Sequence, residues 1–267
     1  MNFVVAFMGE AQPIIDFYQL KKTQHTQYSL YQNDQHSLVI SGLGRENAST
    51  ATRYLRDLAG SQNLGCINIG VAGHGNLAKG EVFICGKIED DQKDECFYPP
   101  QVFNHSICVS SLTTCSKPAV EYEKEMGYDM EAHAFYKTAS QFSIRELVQV
   151  IKIVSDNPSS PLPEFNPKDA PGMIGRHLRQ IDGLIGQMEQ ASASLQPDAE
   201  INSFCKKIEG VHRFSVTRSH QLHQLVRQAK NLRVDMCEIE QITLSSTNAK
   251  EVVQKVAELL KPYQILG

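Results

Sequence analysis

An α/β fold with a largely parallel or mixed sheet, followed by a small helical appendage, is what this 267-residue sequence predicts. Two observations carry that expectation. Short, β-branched apolar runs of strand length alternate with segments whose apolar residues recur every 3.6 positions, the pattern of helices covering a sheet. Past about residue 196 the β-type runs largely disappear and the helical period continues alone. A chain 41% hydrophobic and 21% charged has globular composition, which excludes disordered, collagenous and coiled-coil classes.

The elements follow in order. Residues 2–7 are the first strand candidate, and 28–32 with 37–41 read as a hairpin across the polar turn 33–36. The runs 65–70 (GCINIG), 81–88 (EVFICGKI), 106–110 (SICVS) and 147–155 (LVQVIKIVS) suit strands buried on both faces. Helix candidates lie at 46–59, 129–141 and 173–195. In the last, Met173, Ile174, His177, Leu178, Ile181, Leu184, Ile185 and Met188 keep a 3.6-residue stripe. The Pro-rich stretch 158–171 sits inside this part and reads as a surface loop rather than a linker. The α/β domain is therefore expected over residues 1–195 and the helical appendage over 196–267. Pro197-Asp198 is a helix-start signal, and tail helices are expected over 199–209, 218–232 and 249–260. Ser246, Thr247 or Asn248 would cap the last of them. Roughly 70 residues is near the lower limit for an independent core, so the tail is expected to dock on the main domain or on a protein partner.

Charge and targeting signals narrow the setting. The balance of 26 basic and 30 acidic residues, −4, gives no global reason to expect a nucleic-acid partner. From residue 200 onward ten Lys/Arg stand against seven Asp/Glu, 10 − 7 = +3, leaving −7 for the remainder. No apolar run approaches the roughly 18 residues of a membrane span, so no membrane is expected as a partner. The N-terminal MNFVVAFMGEAQ lacks a basic region and reads as a strand rather than a signal peptide. Seven cysteines without C-x-x-C pairs suggest reduced thiols, and hence a cytoplasmic protein.

Three carboxylates stand where α/β folds build active sites, at strand ends and helix starts. Glu10 follows the first strand in FMGEAQPII, Glu131 opens a helix in GYDMEAHAFY with Asp129 as a capping acid, and Asp156 ends the strand IVSD. Two glycine turns join them. SGLGREN (41–47) links a strand to a helix and offers backbone N–H groups to an anion through Gly42 and Gly44, with Arg45 beside them. IGVAGHGNLAKGEV (69–82) reads as a second glycine-rich turn between strands. A phosphate-binding loop of the GxxxxGK[ST] kind is absent, as are H-E-x-x-H and Ser/His/Asp signatures. In the tail, His220 and His223 lie one helical turn apart, too few ligands for a metal, and no metal is expected.

Taken together and in order, AFMGEAQPII, VISGLGREN, INIGVAGHGNLAKGEV, YDMEAHAFY and IVSDN resemble the nucleoside phosphorylase/nucleosidase superfamily. The resemblance is nearest to its methylthioadenosine/S-adenosylhomocysteine nucleosidase branch and covers residues 3 to about 190. It implies a three-layer α/β/α fold with a mixed central sheet, and cleavage of the N-glycosidic bond of a purine nucleoside through an oxocarbenium-like transition state. Glu131 would hold the ribose hydroxyls, with Met130 beneath the sugar. Asp156, supported by Ser155, would hydrogen-bond or protonate N7 of the leaving purine. Glu10 would position the attacking water. The backbone of Val71, Ala72 and Gly73 would lie near the ribose, and Thr113 or Thr114, in the SSLTTC turn, near the base. No cofactor is implied. A homodimer or higher homo-oligomer is, because a neighbouring subunit often completes the family's pocket.

The chemistry wants the same residue types. Departure of a purine leaves a cationic sugar that nearby carboxylates stabilise, and the base is a poor anion that a carboxylic acid can assist. Asn68 stands where the hexameric phosphorylases carry Arg, which leaves Arg45 as the candidate for binding phosphate, a co-substrate only if the protein is a phosphorylase. Together with Glu10, that favours water as the nucleophile. Val71 and His74 replace residues usual in the family's glycine motif, and the stretch between Gly75 and Asp129 is short. His74 and His133 are given no catalytic role. Three functions thus stay in play: a hydrolytic nucleosidase acting on adenine-type nucleosides such as 5′-methylthioadenosine or S-adenosylhomocysteine, a purine nucleoside phosphorylase, and a non-catalytic nucleoside sensor whose output is the tail, residues 197–267.

Overall fold

The computed structural model describes residues 1–24, 27–59, 65–122, 124–195 and 199–264. The chain divides into two compact units, Met1–Gln196 and Pro197–Gly267. In the first, the elements run β1 (Asn2–Val5), α1 (Met8–Tyr18), β2 (Lys21–Lys22), β3 (Ser29–Gln32), β4 (Ser37–Ile40), α2 (Arg45–Ala59), β5 (Cys66–His74), β6 (Val82–Asp90), β7 (Lys93–Phe97), β8 (Cys108–Thr114), β9 (Gly127–Asp129), α3 (Ala132–Ala139), β10 (Val148–Asp156), α4 (Ala170–Gly175) and α5 (Leu178–Leu195).

The sheet is mixed. From β5 toward one edge the order is β5-β1-β4-β3-β2, with β1 parallel to both β4 and β5 and β3–β4 an antiparallel hairpin. On the other side β5 pairs with β10, β10 with β6, β6 with β8, β8 with β9, and β9 returns to β5. These five strands close a ring.

Alternation along the strands sorts side chains into two cores. Phe3 and Val5 of β1 and Ile151 and Ile153 of β10 face a core with Ile14 and Ile15 of α1, Ile174 of α4 and Ile181, Leu184 and Ile185 of α5. Val4 of β1 and Val148, Val150 and Val154 of β10 face the opposite core with Ala48, Ala51 and Leu55 of α2 and Ala132, Phe135 and Tyr136 of α3. Period-2 strands with apolar residues on both faces must be covered twice, which is the α/β/α sandwich seen.

The structure redraws several expected boundaries. The glycine motif 69–82 is not a turn through its first half: Gly70–His74 continue β5, Gly70–Gly73 pairing with β10 and His74 with β9, so the reversal is left to Gly75–Glu81. Thr113 and Thr114 end strand β8, not a turn, because that strand runs parallel to β6 over Phe83–Asp90. Helix 129–141 shortens to α3, since Tyr128 and Asp129 pair with β5 and β8 in β9. Helix 173–195 is two helices, α4 and α5. The helix α1 and strands β7 and β9 carry no strong periodic signal; α1 even contains Pro13.

The second unit contains α6 (Ala199–Glu209), α7 (Val216–Asn231), α8 (Met236–Leu244) and α9 (Ala249–Gln264). Its own apolar core gathers Ile201, Cys205 and Ile208 with Leu222, Val226, Ala229, Ile239, Val252, Val256 and Leu260, with α6, α7 and α9 each contributing residues three or four apart. The helix starts are capped: Asp235 Oδ1 accepts from Cys237 N at 2.9 Å, and Asn248 Oδ1 accepts from Lys250 N at 3.0 Å and Glu251 N at 3.1 Å. Glu251 reaches back to accept from Thr247 N, close to a capping box. The start signal Pro197-Asp198 lies outside the described residues. Among the described residues no helix is long and apolar enough to cross a membrane.

Candidate functional site

Three chain crossings build one cavity of about 300 Å³ in the first unit. Glu10 lies in the first turn of α1, directly after β1. Strand β9 pairs Tyr128 with Gly73 and so sets Asp129, Met130 and Glu131 against the C-terminal part of β5. Strand β10 ends at Asp156, beside Gly73 in register. Glu10, Glu131 and Asp156 all line the cavity, with Val71, Ala72, Gly73, Met130 and Ser155. Thr113 and Thr114 do not. Thr114 is fully buried and donates to Asp129 Oδ1 at 2.8 Å, while Thr113 Oγ1 faces Met126 Sδ at 3.3 Å.

Glu10 is fixed from both sides. Ala6 N–H donates to Oε2 at 2.7 Å and Val71 N–H to Oε1 at 2.8 Å. Burial disfavours the carboxylate more strongly than Lys152 and these two amides favour it, and the group is pushed up to about 7. Gly70 makes room for this arrangement, because a Cβ there would stand 2.5 Å from Glu10 Oε1. A Gly70→Ala variant is therefore expected to fold but to displace Glu10 from its amides. Any turnover that depends on an ordered Glu10 should fall by at least tenfold in that variant, with far-UV circular dichroism unchanged.

Glu131 occupies the N-cap position of α3 without capping it, its side chain turned to accept from Gly44 N–H at 2.6 Å. Burial raises its carboxyl, as does the neighbouring Asp129, against the pull of Lys152. Asp129 does the capping instead: Oδ2 accepts from Ala132 N–H at 2.8 Å and pairs with Lys152 Nζ at 2.8 Å. Lys152 is 1% exposed in the middle of β10. Burial would lower its ammonium, yet Asp129, Glu131 and Glu10 together hold it above the ordinary value. One buried cation thus balances three carboxylates. Sequence reasoning passed over it, although a Lys inside the otherwise apolar run LVQVIKIVS was the signal, since a strand buried on both faces must supply such a charge with partners.

Asp156 accepts from Ser155 Oγ at Oδ1 and from the Tyr122 hydroxyl at Oδ2. Tyr122 was not anticipated either. Burial and this bond raise its phenol above the usual value.

The first glycine turn is not an open anion cradle. Gly42 and Gly44 take positive φ, as the reversal requires, but the Gly44 N–H is given to Glu131. Arg45 forks onto Asp90 Oδ2 at 2.8 Å, Asp91 Oδ1 at 2.5 Å and the Thr114 carbonyl at 2.6 Å. Its guanidinium is spent on two carboxylates, and no Lys or Arg lines the cavity among the described residues. His74 Nδ1 accepts from Asn76 and Leu77 N–H, so Nε2 carries the proton toward Ser110 Oγ. Burial lowers both His74 and His133, and His133 Nδ1 lies 3.3 Å from Asp90. Both are structural and outside the cavity.

The remaining wall is apolar, with Phe7, Leu43, Pro118, Leu162, Phe165 and Pro167. Carboxylates on one side and apolar rings and prolines on the other suit a ligand with a hydroxylated centre and an apolar end.

No protein-family model matches the sequence, and no curated protein matches it. Solved structures do match, at low identity. An MTA/SAH nucleosidase is 18% identical over 70% of this chain and 95% of its own, with a TM-score of 0.56. The 5′-methylthioadenosine/S-adenosylhomocysteine nucleosidase of Campylobacter jejuni is 13% identical, covers 72% and 98%, and has a TM-score of 0.55. The apo 5′-methylthioadenosine nucleosidase of Arabidopsis thaliana is 17% identical, covers 69% and 94%, and has a TM-score of 0.54. The α/β unit of this chain has the nucleoside phosphorylase/nucleosidase fold, in the form found in the MTA/SAH nucleosidases.

Proposed function

We propose that the α/β unit is a purine nucleoside N-glycosidase that transfers the sugar to water. The observation that carries this reading is the convergence of Glu10, Glu131 and Asp156 on one cavity, with no free guanidinium in its wall among the described residues. In the reaction, Glu131 accepts hydrogen bonds from the ribose hydroxyls above Met130. As the C1′–N9 bond breaks, positive charge develops on the sugar beside buried carboxylates, where it is stabilised most. Asp156 hydrogen-bonds or protonates N7 as the base departs. Glu10, ionised, takes the proton of the water that attacks C1′. Atoms balance as nucleoside plus water giving free base and sugar.

The nucleoside class follows from the other wall. Phe7, Leu43, Leu162 and Phe165 suit an apolar 5′ substituent, and the lack of lining cations among the described residues disfavours a 5′ phosphate. The first substrates to try are adenine nucleosides with a 5′-thioether, such as 5′-methylthioadenosine and S-adenosylhomocysteine. A cytoplasmic homo-oligomer belongs to the same reading, and sedimentation of the purified chain tests the oligomer.

The test is release of free base from methylthioadenosine, adenosine and inosine, with and without phosphate. Release independent of phosphate is expected, and it should survive Arg45→Ala in any fraction that folds. Strict phosphate dependence would replace water by phosphate as nucleophile. Full activity in both Glu131→Gln and Asp156→Asn would sink the assignment, and tight nucleoside binding without turnover would leave a sensor in its place.

A further inference from the structure

Both oxygens of Asp156 are occupied from within the chain. Ser155, its neighbour, holds Oδ1, whereas Tyr122, which holds Oδ2, arrives from the segment between β8 and β9, 34 residues away. The phenol ring lies over Gly73. A Cβ on that glycine would fall 2.7 Å from Tyr122 Cε1 and 2.8 Å from Asp156 Oδ2, so ring and carboxylate meet above the same bare Cα. Gly73 and Asp156 both line the cavity, on the side that the proposed reaction assigns to the base.

The placement is held by local contacts rather than by a core. Tyr122 is half-exposed and belongs to neither apolar core of the unit. Its ring stands edge-on to Tyr128 at 5.5 Å, and Lys124 N–H donates to the Tyr128 hydroxyl at 3.0 Å. A buried carboxylate oxygen without a donor is costly, and the phenol removes that cost while the cavity is empty. A base that uses the same oxygen has to displace it. One hydrogen bond, Tyr122 O–H to Oδ2, is given up, another forms between Oδ2 and the base, and the phenol hydroxyl turns to water.

We propose that Tyr122 is a positioning residue for Asp156 whose hydroxyl competes with the purine for Oδ2, setting the affinity for the base. This rests on the nucleosidase reading, because the competitor is the leaving purine. The phenol keeps Asp156 oriented in the empty site and weakens base binding, which also speeds departure of the product. It is not a catalytic residue, since it touches neither the sugar nor the bond that breaks.

The experiment is a double-mutant cycle on the full chain, read by calorimetric binding of adenine and by steady-state kinetics. Tyr122→Phe keeps the ring and removes the hydroxyl. It is expected to bind adenine at least tenfold more tightly, equivalent to about 1.4 kcal/mol, and to lower KM without raising kcat. Tyr122→Ala, which also frees the space over Gly73, should bind adenine at least as tightly as Tyr122→Phe. In an Asp156→Ala background the Tyr122→Phe change should have no effect on binding. Unchanged or weaker adenine binding by Tyr122→Phe, or an equal gain in the Asp156→Ala background, overturns the proposal. Base release by the wild type would then leave the nucleosidase reading standing. Failure of the wild type and all variants to bind adenine or release base overturns both.

Discussion

Glu10→Gln is expected to lower base release by about 10²–10⁴-fold, the usual contribution of one general base. The wild-type pH profile should carry the same residue's signature. Glu10 must be ionised to accept a proton, and burial has raised it to about 7. Below that pH most of the free enzyme holds Glu10 protonated, so kcat/KM should rise with pH and level off above about 7. An acid limb near pH 4 would assign the limb to another group. The linkage runs the opposite way for stability. A carboxyl that titrates at about 7 when folded and at 4.5 when unfolded binds its proton more tightly in the folded protein. Its contribution is fully present below pH 4.5 and is lost as pH rises through about 7, at most about 3 kcal/mol over that window. The protein is thus expected to gain activity over the interval in which this residue gives up stability, a trade measurable by pairing kinetics with urea unfolding.

The largest loss of stability is expected from Lys152→Met. Removing one partner of a buried ion pair costs about 3–5 kcal/mol, because the other charge is left uncompensated. Here three carboxylates, Asp129, Glu131 and Glu10, lose their common cation. The urea midpoint should fall sharply at about pH 8 and recover partly at about pH 5, where protonation relieves the orphaned carboxyls. In whatever fraction folds, the acid limb assigned to Glu10 should move to higher pH, since Lys152 is the largest of the groups that oppose desolvation there. Equal destabilisation at both pH values would mean that Lys152 acts by packing alone.

The architecture was legible because burial on both faces leaves a mark: LVQVIKIVS, apolar and β-branched, suits a central strand, and it became β10. The candidate carboxylates could be picked out by their places at strand ends and helix starts, where acids also serve as caps and turn formers; that Glu10, Glu131 and Asp156 share one cavity is visible only in the fold. What could not be read was tertiary. The family resemblance put Thr113 or Thr114 near the base, yet Thr114 serves Asp129 and the backbone of His133. Arg45 sat in an anion-binding context, but Asp90 and Asp91, 45 and 46 residues on, claim it. Strand β9 is three residues long and owes its existence to pairing rather than to propensity. Tyr122 lies in a stretch with no periodic pattern, so its bond to Asp156 left no trace in the sequence.

The engagement of Arg45 has a thermodynamic consequence for the proposed reaction. A site that grips inorganic phosphate passes the sugar to it and keeps a phosphoester, so the reaction can be driven back toward nucleoside when base accumulates. With the guanidinium committed to Asp90 and Asp91, the acceptor in the proposed reaction is bulk water, whose abundance would pull the equilibrium far toward cleavage. Such an enzyme disposes of a nucleoside instead of exchanging its base. Its direction in the cell would be set by the solvent and not by the level of any metabolite.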